Sequence, residues 1–108
     1  MMQPSNIHLM EIKKFASKIG AEFNPEKIIL FGSHAEGHAT EESDVDLLVV
    51  MPFKGRPVRQ AVKIRKAMDS PFPLDLLVRS PQQLKSRLKR GDSFLQGILE
   101  RGKVVYEA

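Results

Sequence analysis

Three short apolar runs constrain this chain more than any other feature. They are Ile28-Ile29-Leu30-Phe31, closed by Gly32; Val45 to Met51, closed by Pro52; and Leu74 to Val78, which follows Pro71 and Pro73. Each is too short for a buried helix and is bounded by Gly or Pro, so each predicts a strand. The stretches between them have helical spacing. Ile7 to Ile19 carries its apolar residues three and four apart, with Gly20 as the expected stop. Ser33 to Gly37 has room for one or two helical turns, and Ala39 to Ser43 is a polar loop. Val58, Ala61, Val62, Ile64, Arg65 and Met68 trace a helix that Pro57 opens. Ser80-Pro81 starts another, Asp92 or Ser93 caps a last short one through Leu99, and Lys103 to Tyr106 closes the chain as a strand. Strands alternating with helices define the α/β class. The unit from Val45 through the Pro57 helix to Leu74 predicts a parallel strand pair with a right-handed crossover.

The length of 108 residues suits a single domain, 1–108, without a separate substrate-binding domain. A content of 42% hydrophobic and 28% charged residues excludes a disordered chain. With no cysteine, disulfides, thiolate zinc sites and cysteine nucleophiles are all excluded. No apolar run approaches the roughly 18–20 residues of a membrane span, and the first residues do not form a signal peptide. The expected location is therefore cytoplasmic. The net charge of +4 conceals a segregation. Glu36, Glu41, Glu42, Asp44 and Asp46 fall in a stretch without Lys or Arg, whereas residues 54 to 90 are strongly basic. Such a basic stretch can meet a polyphosphate, an acidic partner or nucleic acid. The scarcity of aromatic residues weighs against a single-strand binder that stacks bases.

Within this frame three features carry chemistry. Residues two apart on a strand share a face, so Asp44 and Asp46 point the same way, their Cα atoms roughly 6.5–7 Å apart at about 3.3 Å per residue. Val45 points into the opposite layer. Two carboxylates so placed can converge on divalent cations, and hard oxygen donors suit Mg²⁺ or Mn²⁺. Gly32-Ser33 joins a strand to a helix, a turn that offers backbone N–H groups to phosphate. Asp75 interrupts an apolar strand, where a buried carboxylate requires a metal or another cation. If the second and third strands are parallel, Asp44, Asp46 and Asp75 lie at one end of the sheet. Gly32 reaches that end only if the first strand runs antiparallel, so the predicted sheet is mixed. His34 and His38 are four apart, but without a third strong ligand they are expected to be exposed loop residues rather than a metal pair.

The run Leu30-Phe31-Gly32-Ser33, ten residues, then Asp44-Val45-Asp46-Leu47-Leu48-Val49-Val50 resembles the minimal nucleotidyltransferases. These are the MNT-type proteins of the DNA polymerase beta-like superfamily. Asp75 resembles their third carboxylate, and Gly102 to Glu107 their last strand. The resemblance implies a nucleotidyltransferase fold, a small mixed sheet flanked by helices. It further implies that Gly32 and Ser33 hold the β- and γ-phosphates of ATP, and that Asp44, Asp46 and Asp75 ligate two Mg²⁺ ions. Asp75 would also help deprotonate an acceptor hydroxyl that attacks the α-phosphate. Family members typically pair with a HEPN-domain protein, as the antitoxin that transfers AMP to a tyrosine of the toxin. The small size fits an acceptor carried by a partner protein, and a homo-oligomer also stays open. The chain departs from the family at one place. Many members have Gly-Ser-x-Ala-Arg-Gly, whereas here the stretch is Gly32-Ser33-His34-Ala35-Glu36-Gly37. An anion replaces a cation near a polyphosphate, and an Arg or Lys from the basic stretch is the expected compensation. Two alternatives follow: a catalytically weak antitoxin that neutralises its partner by binding, and a nucleic-acid-binding module built on residues 54 to 90.

Overall fold

The computed structural model describes residues 2–108. Nine elements follow in order: α1 (Leu9–Phe23), β1 (Lys27–Phe31), α2 (Ser33–Glu36), β2 (Val45–Val50), α3 (Pro57–Ala67), β3 (Leu74–Arg79), α4 (Pro81–Lys89), α5 (Ser93–Arg101) and β4 (Lys103–Glu107). The strands form one sheet in the order β3-β2-β1-β4. β2 and β3 are parallel, joined through α3, while β1 runs antiparallel to both β2 and β4. The mixed sheet expected from the position of Gly32 is therefore present. Among the described residues no helix is long and apolar enough to cross a membrane.

Alternation along the strands divides the core in two. Ile28, Leu30, Val45, Leu47, Val49, Leu76 and Val78 face α1 and α3, packing with Ile12, Phe15, Ile19 and Ile64. Ile29, Leu48 and Val50 face the other way, onto Leu95 and Ile98 of α5, with Leu84 and Leu88 of α4 beside them. The sheet is thus the middle of three layers. Asp44, Asp46 and Asp75 have the parity of the second face, the one that carries α4 and α5.

The helix ends follow local chemistry. Ser80 and Gln83 form a reciprocal capping box at the start of α4, and Asp92 caps α5 by accepting from the Leu95 N–H. Two expectations fail. Gly20 does not stop α1. It is buried within the helix, where any Cβ would collide with the Tyr106 ring, and α1 ends instead at Asn24, whose left-handed backbone (φ 51°) donates to the Gly20 carbonyl. Gly20 is required for close packing, not for a turn. The apolar stripe of α3 is also only partly used. Gln60 and Ile64 are buried, but Val58 and Val62 are exposed because α3 covers β3, the edge of the sheet.

Candidate active site

β1 ends at Phe31, which pairs with Asp46 across the antiparallel ladder. The next residue, Gly32, adopts φ 75°, a conformation that favours glycine, and caps α2. A Cβ at this position would strike Asp46 Oδ2. Glycine is therefore required twice over, once by the backbone and once by the carboxylate lying against it. Ser33 follows as the first residue of α2, where helical N–H groups lack intrahelical partners.

In the parallel ladder Asp46 pairs with Asp75, which sets two carboxylates side by side at a strand spacing of about 4.8 Å. Asp44 immediately precedes β2. Burial, then Asp75, then Asp44 push the Asp46 carboxyl up from the usual range, while His34 pulls it down. Gly32, Asp44, Asp46 and Asp75 thus meet at one end of the sheet, as the strand directions require. Among the described residues no group of three or more His, Asp or Glu side chains stands poised to hold a metal ion. The carboxylates share an end of the sheet without converging on one point.

One premise needs correction. Asp75 is exposed, not buried. β3 is an edge strand, and although Leu77 packs against the second core, its neighbour on the same face does not. Desolvation therefore places no demand for a partner on Asp75. Its nearest anchor is Arg65, which donates to the Leu74 carbonyl and so holds the start of β3 from α3.

The site holds two residues that the sequence alone did not assign to it. His34 is half-buried in α2 rather than exposed in a loop, although His38 is exposed. Its Nε2 lies 3.2 Å from the Ser43 carbonyl, which can only accept, so Nε2 carries the proton and ties α2 to the residue before Asp44. Ser43 Oγ in turn accepts from the Thr40 N–H, closing the loop. The second residue is Arg101. It reaches from the last turn of α5 to Glu36, with Nε 3.8 Å from Oε1. For His34 the signal was its place directly after the Gly-Ser turn. Arg101 had none, because its proximity depends on how α5 packs.

An end of a sheet that sets a glycine turn into a helix beside acidic oxygen donors supports transfer of a phosphate-linked group, and with this strand order it belongs to the nucleotidyltransferase class. Sequence comparison agrees: residues 9–105 match the family described as "Nucleotidyltransferase domain", and the chain belongs to that family. It is 31% identical over 97 residues to "Putative protein adenylyltransferase MJ0604" of Methanocaldococcus jannaschii, covering 88% of this chain and 94% of that one. A second protein of that organism, "Putative protein adenylyltransferase MJ1305", is 34% identical over 106 residues, covering 89% of this chain and 69% of its own length. Two solved structures share the fold. One, described as a putative nucleotidyltransferase from Sulfolobus solfataricus, superposes with a TM-score of 0.61 at 19% identity over 92% of this chain and 79% of that one. The other, described as a toxin–antitoxin with AMP-PNP, gives 0.59 at 24% identity over 89% and 73%.

Proposed function

We propose that this chain transfers AMP from ATP to a hydroxyl of a partner protein. In this reading Gly32 and Ser33 hold the triphosphate, and Asp44, Asp46 and Asp75 hold two Mg²⁺ ions. The observation that carries it is the Asp46–Asp75 pair with the Asp46 carboxylate packed directly against Gly32, where only glycine fits. The donor set fits hard divalent cations: all three ligands are carboxylates, and the burial and like-charge crowding that raise Asp46 are what a cation offsets. When bound, two such ions stabilise the entering and leaving oxygens of an in-line displacement.

The chain's own groups do the rest. Gly32 lets phosphate approach the backbone, and the Ser33 hydroxyl donates to a phosphate oxygen. Asp75, exposed on the edge strand, accepts the proton of the attacking hydroxyl. A bond forms between the acceptor oxygen and the α-phosphorus, the α–β bridge breaks, and pyrophosphate leaves. The exposure of Asp75 suits an acceptor that arrives on another protein. The names of the Methanocaldococcus relatives and of the toxin–antitoxin structure support a protein acceptor. We assign the partner as a HEPN-domain toxin, the acceptor as one of its tyrosines, and this chain as the cytoplasmic antitoxin.

The test incubates the protein with labelled ATP, Mg²⁺ and the product of the adjacent gene. Label is expected on the partner, and is expected to vanish with a chelator or with Asp44→Asn. Failure of the wild type to transfer any label overturns the reading. Glu36, an anion beside Gly32, favours a second reading, neutralisation by binding alone. That reading prevails if chains carrying both Asp44→Asn and Asp46→Asn still neutralise the toxin in cells.

A further inference from the structure

A cleft of about 150 Å³ opens beside Gly32, between α2 and α5, lined by Glu36 on one side and by Gly97, Ile98 and Arg101 on the other. Its one cation and its one anion are joined to each other. We propose that Arg101 is the residue that binds the triphosphate of the incoming nucleotide, exchanging Glu36 for phosphate oxygens when the nucleotide arrives. The proposal rests on the nucleotide-binding reading of Gly32 and Ser33.

Three observations carry it. First, the ion pair is loose and wet. Its 3.8 Å separation is beyond hydrogen-bond length, and the side chains of Arg101 and Glu36 are 63% and 39% exposed. Exposed pairs of this kind contribute little to stability, so exchange is easy. A guanidinium fork on phosphate makes shorter, charge-assisted bonds, and a triphosphate carries more charge than one carboxylate. Second, room has been kept for the guanidinium. Arg101 folds back one turn along α5 over Gly97, and a Cβ on Gly97 would lie 2.5 Å from Arg101 Nη2. Third, the arrangement answers the substitution at position 36. The cation missing from α2 is supplied to the same cleft from α5, from outside the basic stretch 54 to 90 in which compensation was expected. Of that stretch, Arg79 ends β3, at the opposite end of the strand from Asp75, and Arg65 of α3 is spent on the Leu74 carbonyl.

The test measures binding of ATP and of AMP to the purified protein, with Mg²⁺, by titration calorimetry. Arg101→Gln is expected to weaken ATP binding about tenfold, the worth of one charge-assisted hydrogen bond, and to leave AMP unchanged. Glu36→Gln is expected to tighten ATP binding, since it removes the competing anion. Gly97→Ala keeps the charge but displaces it, at little cost to the fold because a flexible side-chain end is what must move; it should weaken ATP in the same direction. Adding Glu36→Arg to Arg101→Gln should restore part of the loss. If the wild type binds ATP and Arg101→Gln binds it equally well, the proposal is overturned while the function above stands. If the wild type binds neither nucleotide, both fall together.

Discussion

The two ends of β3 face opposite electrostatic problems. Asp75, Leu77 and Arg79 share one face of the strand, and Asp75 and Arg79 are separated by about 13 Å. At the Asp75 end, Asp46 is crowded by Asp75 and Asp44, and burial with this crowding raises its pKa. At the Arg79 end, Arg79 lies in a groove with Arg56 and Arg87, and burial followed by Arg87 lowers its pKa. The basic end relieves itself internally. Arg79 Nη1 donates to the Val78 carbonyl at 2.7 Å, and Arg87 lies 3.7 Å from Asp92. The acidic end does not: among the described residues no ion pair involves Asp44, Asp46 or Asp75. A crowd of like charges with its own partners holds a fold together. One without them is relieved by any cation brought to it.

Substitutions at each end break or sharpen this contrast. The largest effect is expected from Asp75→Asn, which should slow label transfer by roughly 10²–10⁴-fold if Asp75 serves as general base. Melting temperature should hardly change, since the side chain is exposed. Next comes Gly32→Ala. A Cβ there meets both an unfavourable φ and Asp46 Oδ2, so the urea midpoint should fall by the equivalent of about 1–3 kcal/mol, with transfer slowed less than by Asp75→Asn. Smaller still is Asp46→Asn in a chelator. The folded pKa of Asp46 lies above its unfolded value, so its contribution to stability is present at acid pH and lost as pH rises through that raised value. The variant should therefore melt higher than the wild type at neutral pH, by less than about 1 kcal/mol once solvent screening is allowed for, and the gap should close in acid. The smallest effect is expected from Arg79→Gln, within about 0.5 kcal/mol in stability and without change in ATP affinity. A large loss of ATP affinity there would show that the two ends are not separate sites.

What could be derived without coordinates was local or topological. The direction of β1 followed from Gly32 having to reach Asp44 and Asp46, and the shared face of Asp44 and Asp46 followed from strand parity. What could not be derived depended on neighbours distant in sequence. The role of Gly20 is set by Tyr106, and the exposure of Asp75 by its position on an edge strand. The exposure of Val58 and Val62 has the same origin, since a helical repeat shows which residues share a face but not whether anything covers it. Arg101 was illegible for the same reason. Its partner is 65 residues away along the chain, and only the packing of α5 against β1 brings them together.

The contact between Tyr106 and Gly20 has a practical consequence. The chain has one tyrosine and no tryptophan. Its tyrosine emission therefore arises from one ring on the last strand set against the first helix, paired through the ladder with Ile28. Tyr106 and Gly20 are 86 residues apart along the chain, and contacts at such separation carry a loop-closure cost before they form. Tyrosine emission is thus a built-in gauge of ring closure. In refolding experiments it should lag behind backbone signals from the helices, and so time the moment at which the two ends of the chain meet.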